Sequence, residues 1–145
     1  MSTEGATPDA ALFALAASGG FLLAGMVLGV WKYRWMLDDP SHRAPVYVDV
    51  AHRAALMYSF ACLVLRELAA LSPYSPGTTL TATAVPIALF ATAVLTYVWH
   101  GLRGRTDNQF AERNLLTTWG MVVLIVGEVS GVAVLLWGFV STRLL

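Results

Sequence analysis

Three histidines, His42, His52 and His100, are the side chains in this sequence best suited to chemistry. An imidazole can ligate a metal or move a proton near neutral pH. No nucleophile elbow, phosphate-cradling glycine loop, HExxH motif or paired carboxylates accompany them. The single cysteine, Cys62, lies in an apolar run, so neither a disulfide framework nor a multi-thiolate metal site can form within one chain. One imidazole in apolar surroundings most economically suggests a haem ligand. Haem iron needs only one or two axial ligands and a large apolar slot.

The three histidines differ in setting. His42 lies in the polar run Asp38-Asp39-Pro40-Ser41-His42-Arg43 and reads as a surface residue. His52 stands at the mouth of an apolar stretch, where its ring can point into a helix bundle. His100, in Trp99-His100-Gly101, closes another apolar stretch and reads either as a helix C-terminal cap or as a second ligand. His52, Ala55, Ser59, Cys62 and Arg66 recur at three- and four-residue steps, so on a helix they share one stripe. Lipid disfavours such a face, which should therefore turn inward or toward another subunit. Its small residues leave room either for a flat ligand beside His52 or for a neighbouring helix.

Two further ionisable residues fall inside apolar stretches. Arg66 is about 21 Å along the helix from His52 at 1.5 Å per residue. Glu128 is expected at nearly the same depth. Unpaired, each costs several kcal/mol in hydrocarbon (about 3 for Arg at the centre of a span). A mutual ion pair is the simplest solution, within or between subunits, with Glu67 as a competing partner for Arg66. The pair would either fix helix register or make a polar contact at the far end of a substrate cavity.

The elements that position these groups are four apolar stretches, about Ala10–Trp31, Ala51–Leu71, Leu80–Trp99 and Leu115–Val140. Each is close to the ~20 residues that cross ~30 Å of hydrocarbon as a helix. They lack the period-two alternation of strands. Only 12% of the 145 residues are charged, about half the usual share for a soluble domain, and the formal net charge is zero. No bulk basic surface points to nucleic acid. The reading is an all-α integral membrane protein, one domain over residues 1–145, folded as an antiparallel four-helix bundle. The acidic N-terminus, with Glu4 and Asp9, is unlike a secretory signal.

The connections orient the bundle. The first, Lys32–Val50, is long and polar; the second, Ser72–Gly77, is an uncharged Pro/Gly turn; the third, His100–Asn114, is rich in Arg. Lys32, Arg34, Arg43, Arg53, Arg103, Arg105 and Arg113 all gather at one end. The positive-inside bias places loops one and three in the cytoplasm and both termini outside, as in a bacterial inner membrane. Trp31, Tyr33, Trp35, Tyr97 and Trp99 fall where an aromatic belt belongs. Gly25 and Gly29, and Gly127 and Gly131, form two GxxxG pairs, and Ala84, Ala88 and Ala91 a small-residue stripe. These serve close packing inside one bundle or a homo-oligomeric contact. Pro86 is expected to bend the third helix.

The chain resembles the styrene oxide isomerases, small four-helix membrane enzymes. The likeness rests on Gly20-Phe21-Leu22-Leu23-Ala24-Gly25-Met26-Val27-Leu28-Gly29 leading into a long polar loop, on Ala51-His52-Arg53-Ala54 opening the second helix, and on Gly101-Leu102 followed by Asn108-Gln109-Phe110. The resemblance implies a homotrimer binding haem b with His52 as the axial iron ligand. It implies a ferric iron acting as Lewis acid, which rearranges a small apolar epoxide to a carbonyl compound. Arg53, Arg103, Arg105 and Asn108 become candidate cofactor-binding residues. Tyr58 stands where the family has an Asn, and Tyr97 is the only tyrosine of the third helix; these two are the candidate catalytic groups. The chain departs from the family in having no acid in the third helix. Two other readings remain: a b-type haem electron carrier with His52 and His100 as ligands, and a haem-free membrane scaffold that uses its GxxxG faces.

Overall fold

The structure, a computed structural model, describes residues 8–108 and 116–145. Four helices make up the fold: α1 (Asp9–Asp38), α2 (Val46–Ala70), α3 (Pro76–Arg103) and α4 (Met121–Arg143). A single π-helical turn, Leu116–Gly120, leads into α4. All four are long and apolar enough to cross a membrane, and no strand occurs among the described residues.

α1, α2 and α3 run further than the apolar stretches alone suggest, whereas α4 begins only at Met121, after the π-helical turn. α1 continues past Trp31 to Asp38, because Lys32 to Leu37 contains no Gly or Pro and the chain meets Pro only at Pro40. α2 starts at Val46, directly after Pro45, whose carbonyl accepts from the Val48 and Asp49 amides. α3 starts at Pro76 because Ser75 caps it: the Ser75 hydroxyl accepts from the Thr78 amide at 3.3 Å, and Pro76 occupies the first turn, where no N–H is needed. It ends on Gly104, which takes a left-handed φ of 57° and donates its N–H to the His100 carbonyl. Beyond α1, hydrogen bonds from Ser41 hold the Asp39 carboxyl below its ordinary range.

Contact register makes each neighbouring pair antiparallel. On α1 and α2, Gly25 faces Leu56 while Gly29 faces His52. On α2 and α3, Val48 meets Gly101 while Tyr58 stacks on Phe90. On α3 and α4, Leu89 meets Gly127 while Ala82 and Pro86 meet Gly131. Both GxxxG pairs are therefore consumed inside the chain, one seating α1 on α2 and the other seating α4 on α3. They carry no evidence for an oligomer.

Pro86 has a specific place in this packing. Lacking an N–H, it leaves the Ala82 carbonyl without its usual helical donor. Gly131 lies directly against that carbonyl: a Cβ at position 131 would stand 2.7 Å from the Ala82 oxygen and 2.5 Å from Pro86 Cγ. A neighbouring helix thus covers the backbone that proline exposes. Gly131→Ala should lower the thermal midpoint in detergent, at a cost of about 1–3 kcal/mol, since neither the backbone oxygen nor the proline ring can rotate away. Gly77→Ala, with open space around it, should leave the midpoint unchanged; equal effects would contradict this packing.

Candidate functional site

His52 is half-buried on the α1 side of α2. Its Nδ1 lies 2.8 Å from the Gly25 carbonyl oxygen. A carbonyl only accepts, so Nδ1 carries the hydrogen and donates it, and in the neutral ring Nε2 holds the lone pair. The seat is cut by glycine. A Cβ at Gly29 would come within 2.9 Å of His52 Cε1 and 3.1 Å of Nδ1. The GxxxG of α1 thus does two things at His52: Gly29 clears the space and Gly25 supplies the acceptor.

The polar stripe below His52 is closed by protein. Ala55, Ser59 and Cys62 are buried, and the Ser18 hydroxyl of α1 donates to the Ser59 carbonyl at 2.9 Å. Of the two uses open to those small residues, admitting a neighbouring helix is the one the structure takes. An open groove of about 500 Å³ does exist, but it lies between α3 and α4 at the other end of the bundle, lined by Thr78, Thr81, Val85, Ser130 and Val134.

The cationic candidates are partly engaged. Asp49 bridges Lys32 of α1 at 2.6 Å and Arg53 at 2.7 Å. Arg53 keeps most of its side chain exposed, one position beyond His52. The Arg103 guanidinium lies 4.2 Å from the centre of the Trp99 ring. Arg105 is exposed. Asn108 exchanges hydrogen bonds with Thr106. Gln109, Phe110 and Arg113 lie outside the described residues.

The two candidate tyrosines, Tyr58 on α2 and Tyr97 on α3, pack against one buried cluster of Leu28, Ala51, Ala55 and Val94. Tyr58 stacks on Phe90 of α3, with centroids 4.2 Å apart and planes 10° from parallel, and tilts against Phe21 at 6.0 Å. Tyr97 stacks on Tyr47 at 6.1 Å. Tyr58 is six residues after His52, about 9 Å further along the helix and roughly a third of a turn around it. His100 rests on Tyr47 with centroids 5.0 Å apart, on the α2/α3 side, whereas His52 serves the α1/α2 seam. His42, with a left-handed φ of 54°, donates from Nδ1 to the Met36 carbonyl at 3.1 Å, on the surface. Among the described residues, no three His, Cys, Asp or Glu side chains converge to hold a metal ion. A single-ligand group such as haem does not need such a cluster.

The expected ion pair between Arg66 and Glu128 does not form. Arg66 pairs with its neighbour Glu67 instead. The depths differ, which is the reason. Arg66 stands one turn before the end of α2, and the turn beyond packs Pro73 and Tyr74 on Gly138. Glu128 is about 15 Å up α4 from Gly138. Both still carry a buried atom without a partner, Nε of Arg66 and Oε1 of Glu128.

No protein-family model, curated protein or solved structure matches this chain. The separation of Arg66 and Glu128 predicts additivity. Arg66→Met and Glu128→Gln should change stability by amounts that sum within about 0.5 kcal/mol in the double variant. A coupling well above that, read from detergent unfolding, would place the two side chains in contact.

Proposed function

We propose that this chain is a haem-b-binding membrane isomerase that rearranges a small apolar epoxide to a carbonyl compound. The observation that carries the reading is the His52 seat. An imidazole whose Nδ1–H is committed to a backbone carbonyl presents Nε2 as an oriented lone pair, and this is how proteins usually prepare a metal-ligating histidine. His52 would hold the iron, and Arg53 and Arg105 have exposed guanidinium groups at the same end for propionates. Ferric haem, held by His52, would supply a Lewis acid.

The chain's own residues do the rest. Gly25 and Gly29 fix the ring and its tautomer. Apolar side chains around the substrate would keep water away while the epoxide C–O bond opens and a 1,2-hydride shift to the carbon that loses oxygen forms the C=O bond, with no net redox change. Tyr58 and Tyr97 offer hydroxyls to the oxygen. Because His52 and the tyrosines lie on different faces of α2, one haem meets both only if a second copy of the chain contributes. The trimer and the haem therefore stand together in this reading, with loops one and three facing the cytoplasm.

The test is a visible spectrum of the purified protein. A high-spin ferric Soret band is expected. His52→Ala should abolish it, and Gly29→Ala should reduce haem occupancy several-fold while the helical circular dichroism is retained, because the new Cβ displaces the ring. Absence of a Soret band in protein expressed with ample haem would refute the reading. Full haem retention by His52→Ala would refute the ligand.

A further inference from the structure

The end of the bundle that carries the two polar connections holds more cations than its own carboxylates match. Asp49 is shared by Lys32 and Arg53, and Asp39 accepts from the Ser41 amide. Arg34 and Arg103 are exposed, and among the described residues neither makes an ion pair.

The two arginines stand at one height. A Cβ at Gly101 would lie 3.1 Å from Trp31 Cη2 and 3.1 Å from Val48 Cγ2, so α1, α2 and α3 meet at that level. Arg34 is about 4.5 Å beyond Trp31 along α1, and Arg103 about 3 Å beyond Gly101 along α3. Trp31 and Trp99 close the apolar runs of their helices, which puts this level at the edge of the ~30 Å hydrocarbon layer. The headgroup layer, about 5–8 Å deep on each side, begins there. Tyr33, Trp35 and Trp99 are exposed and belong at the same interface.

Both arginines also face outward. Arg34 is about two and a half turns beyond Gly25, which packs on Leu56, so it lies on the side of α1 away from α2. Arg103 is about 200° around α3 from Gly101, on the side away from Trp31 and Val48. Trp99 is one turn earlier on that same side, and the Arg103 guanidinium rests 4.2 Å from the centre of its ring. A guanidinium stacked on an indole keeps its N–H donors in plane at its rim, open to a bidentate partner. Leu95, one turn deeper than Trp99 and exposed, offers apolar surface below it.

We propose that this end of the bundle binds anionic phospholipid, with one phosphate on the Arg103 fork above Trp99 and another on Arg34. Leu95 and the Trp99 ring suit the acyl chains of the first. Charge balance names the lipid: a zwitterionic headgroup brings its own cation, whereas an anionic one neutralises guanidiniums that the chain leaves unmatched. The positive-inside orientation sets this end against the leaflet that carries anionic lipid. The inference does not rest on the haem reading.

Intact mass spectrometry of the full chain, released from detergent micelles doped equally with phosphatidylglycerol and phosphatidylcholine, tests it. Phosphatidylglycerol adducts should exceed phosphatidylcholine adducts several-fold. Arg34→Gln and Arg103→Gln should each lower that ratio by up to about fivefold, and the double variant should bring it near one. Trp99→Leu should lower the ratio although it removes no charge. Arg143→Gln, the same charge change at the opposite end, should leave it unchanged. Equal adducts of the two lipids on the wild-type chain would overturn the proposal. So would an Arg143→Gln effect as large as that of Arg103→Gln, which would mean that net charge alone acts. A wild-type ratio in Trp99→Leu would overturn the stacked fork. Displacement of the lipid by inorganic phosphate, at an ionic strength where chloride displaces none, would show a free-anion site and overturn lipid as the occupant.

Discussion

Hydrocarbon offers no hydrogen-bond partner, and this chain is arranged around that fact. Each polar side chain placed in a spanning helix must find an acceptor in the protein. The threonines of α3 do so locally: Thr83 donates to the Thr79 carbonyl, Thr92 to Ala88 and Thr96 to Thr92. Ser18 reaches across to the Ser59 carbonyl, and His52 reaches across to Gly25. Two of these bonds thus tie α1 to α2 at separate levels, about 10 Å apart by the rise from Ser18 to Gly25. The same pair of helices is joined near one end by Lys32 and Asp49. Such tethers need close backbones, and glycine at 25 and 29 provides the approach.

Glycine also decides what the seams can hold. At Gly25 the space of the missing Cβ is filled by the end of a flexible side chain, Leu56. At Gly29 it is filled by an imidazole, and at Gly131 by a proline ring and a bare carbonyl. The first is ordinary packing. The second orients a titratable ring, and the third shelters backbone that Pro86 has uncovered. One sequence pattern, GxxxG, thus serves three different physical ends, and only the partner across the seam distinguishes them.

That explains what could be read in the sequence and what could not. The four membrane-length helices were legible because a hydrophobic stretch of that length has few alternatives. Their ends were misjudged where Lys32 to Leu37 in α1, a segment without Gly or Pro, continues a helix beyond the first apolar run. His52 stood out because it stands at the mouth of an apolar stretch, although α2 begins at Val46 and so places it inside the second turn; its inward stripe followed from three- and four-residue spacing. Its acceptor was hidden, since a backbone carbonyl leaves no mark in composition. Arg66 and Glu128 were matched on opposite charge and assumed depth. The depth was wrong because the turn at Ser72 sets α2 against the far end of α4, and a neighbouring Glu67 was nearer. The stacking of Tyr58 on Phe90 has no sequence signature either, being a product of how α2 and α3 meet.

His52 and Glu128 meet one problem differently. His52 is a polar ring whose donor is satisfied by the fold and whose acceptor is left over; the remaining nitrogen is basic, oriented and suited to a cation or a metal. Among the described residues, Glu128 has no donor to its buried oxygen, and an unpaired carboxylate is costly in hydrocarbon. The two groups lie on different faces of the bundle, so within one chain they do not meet.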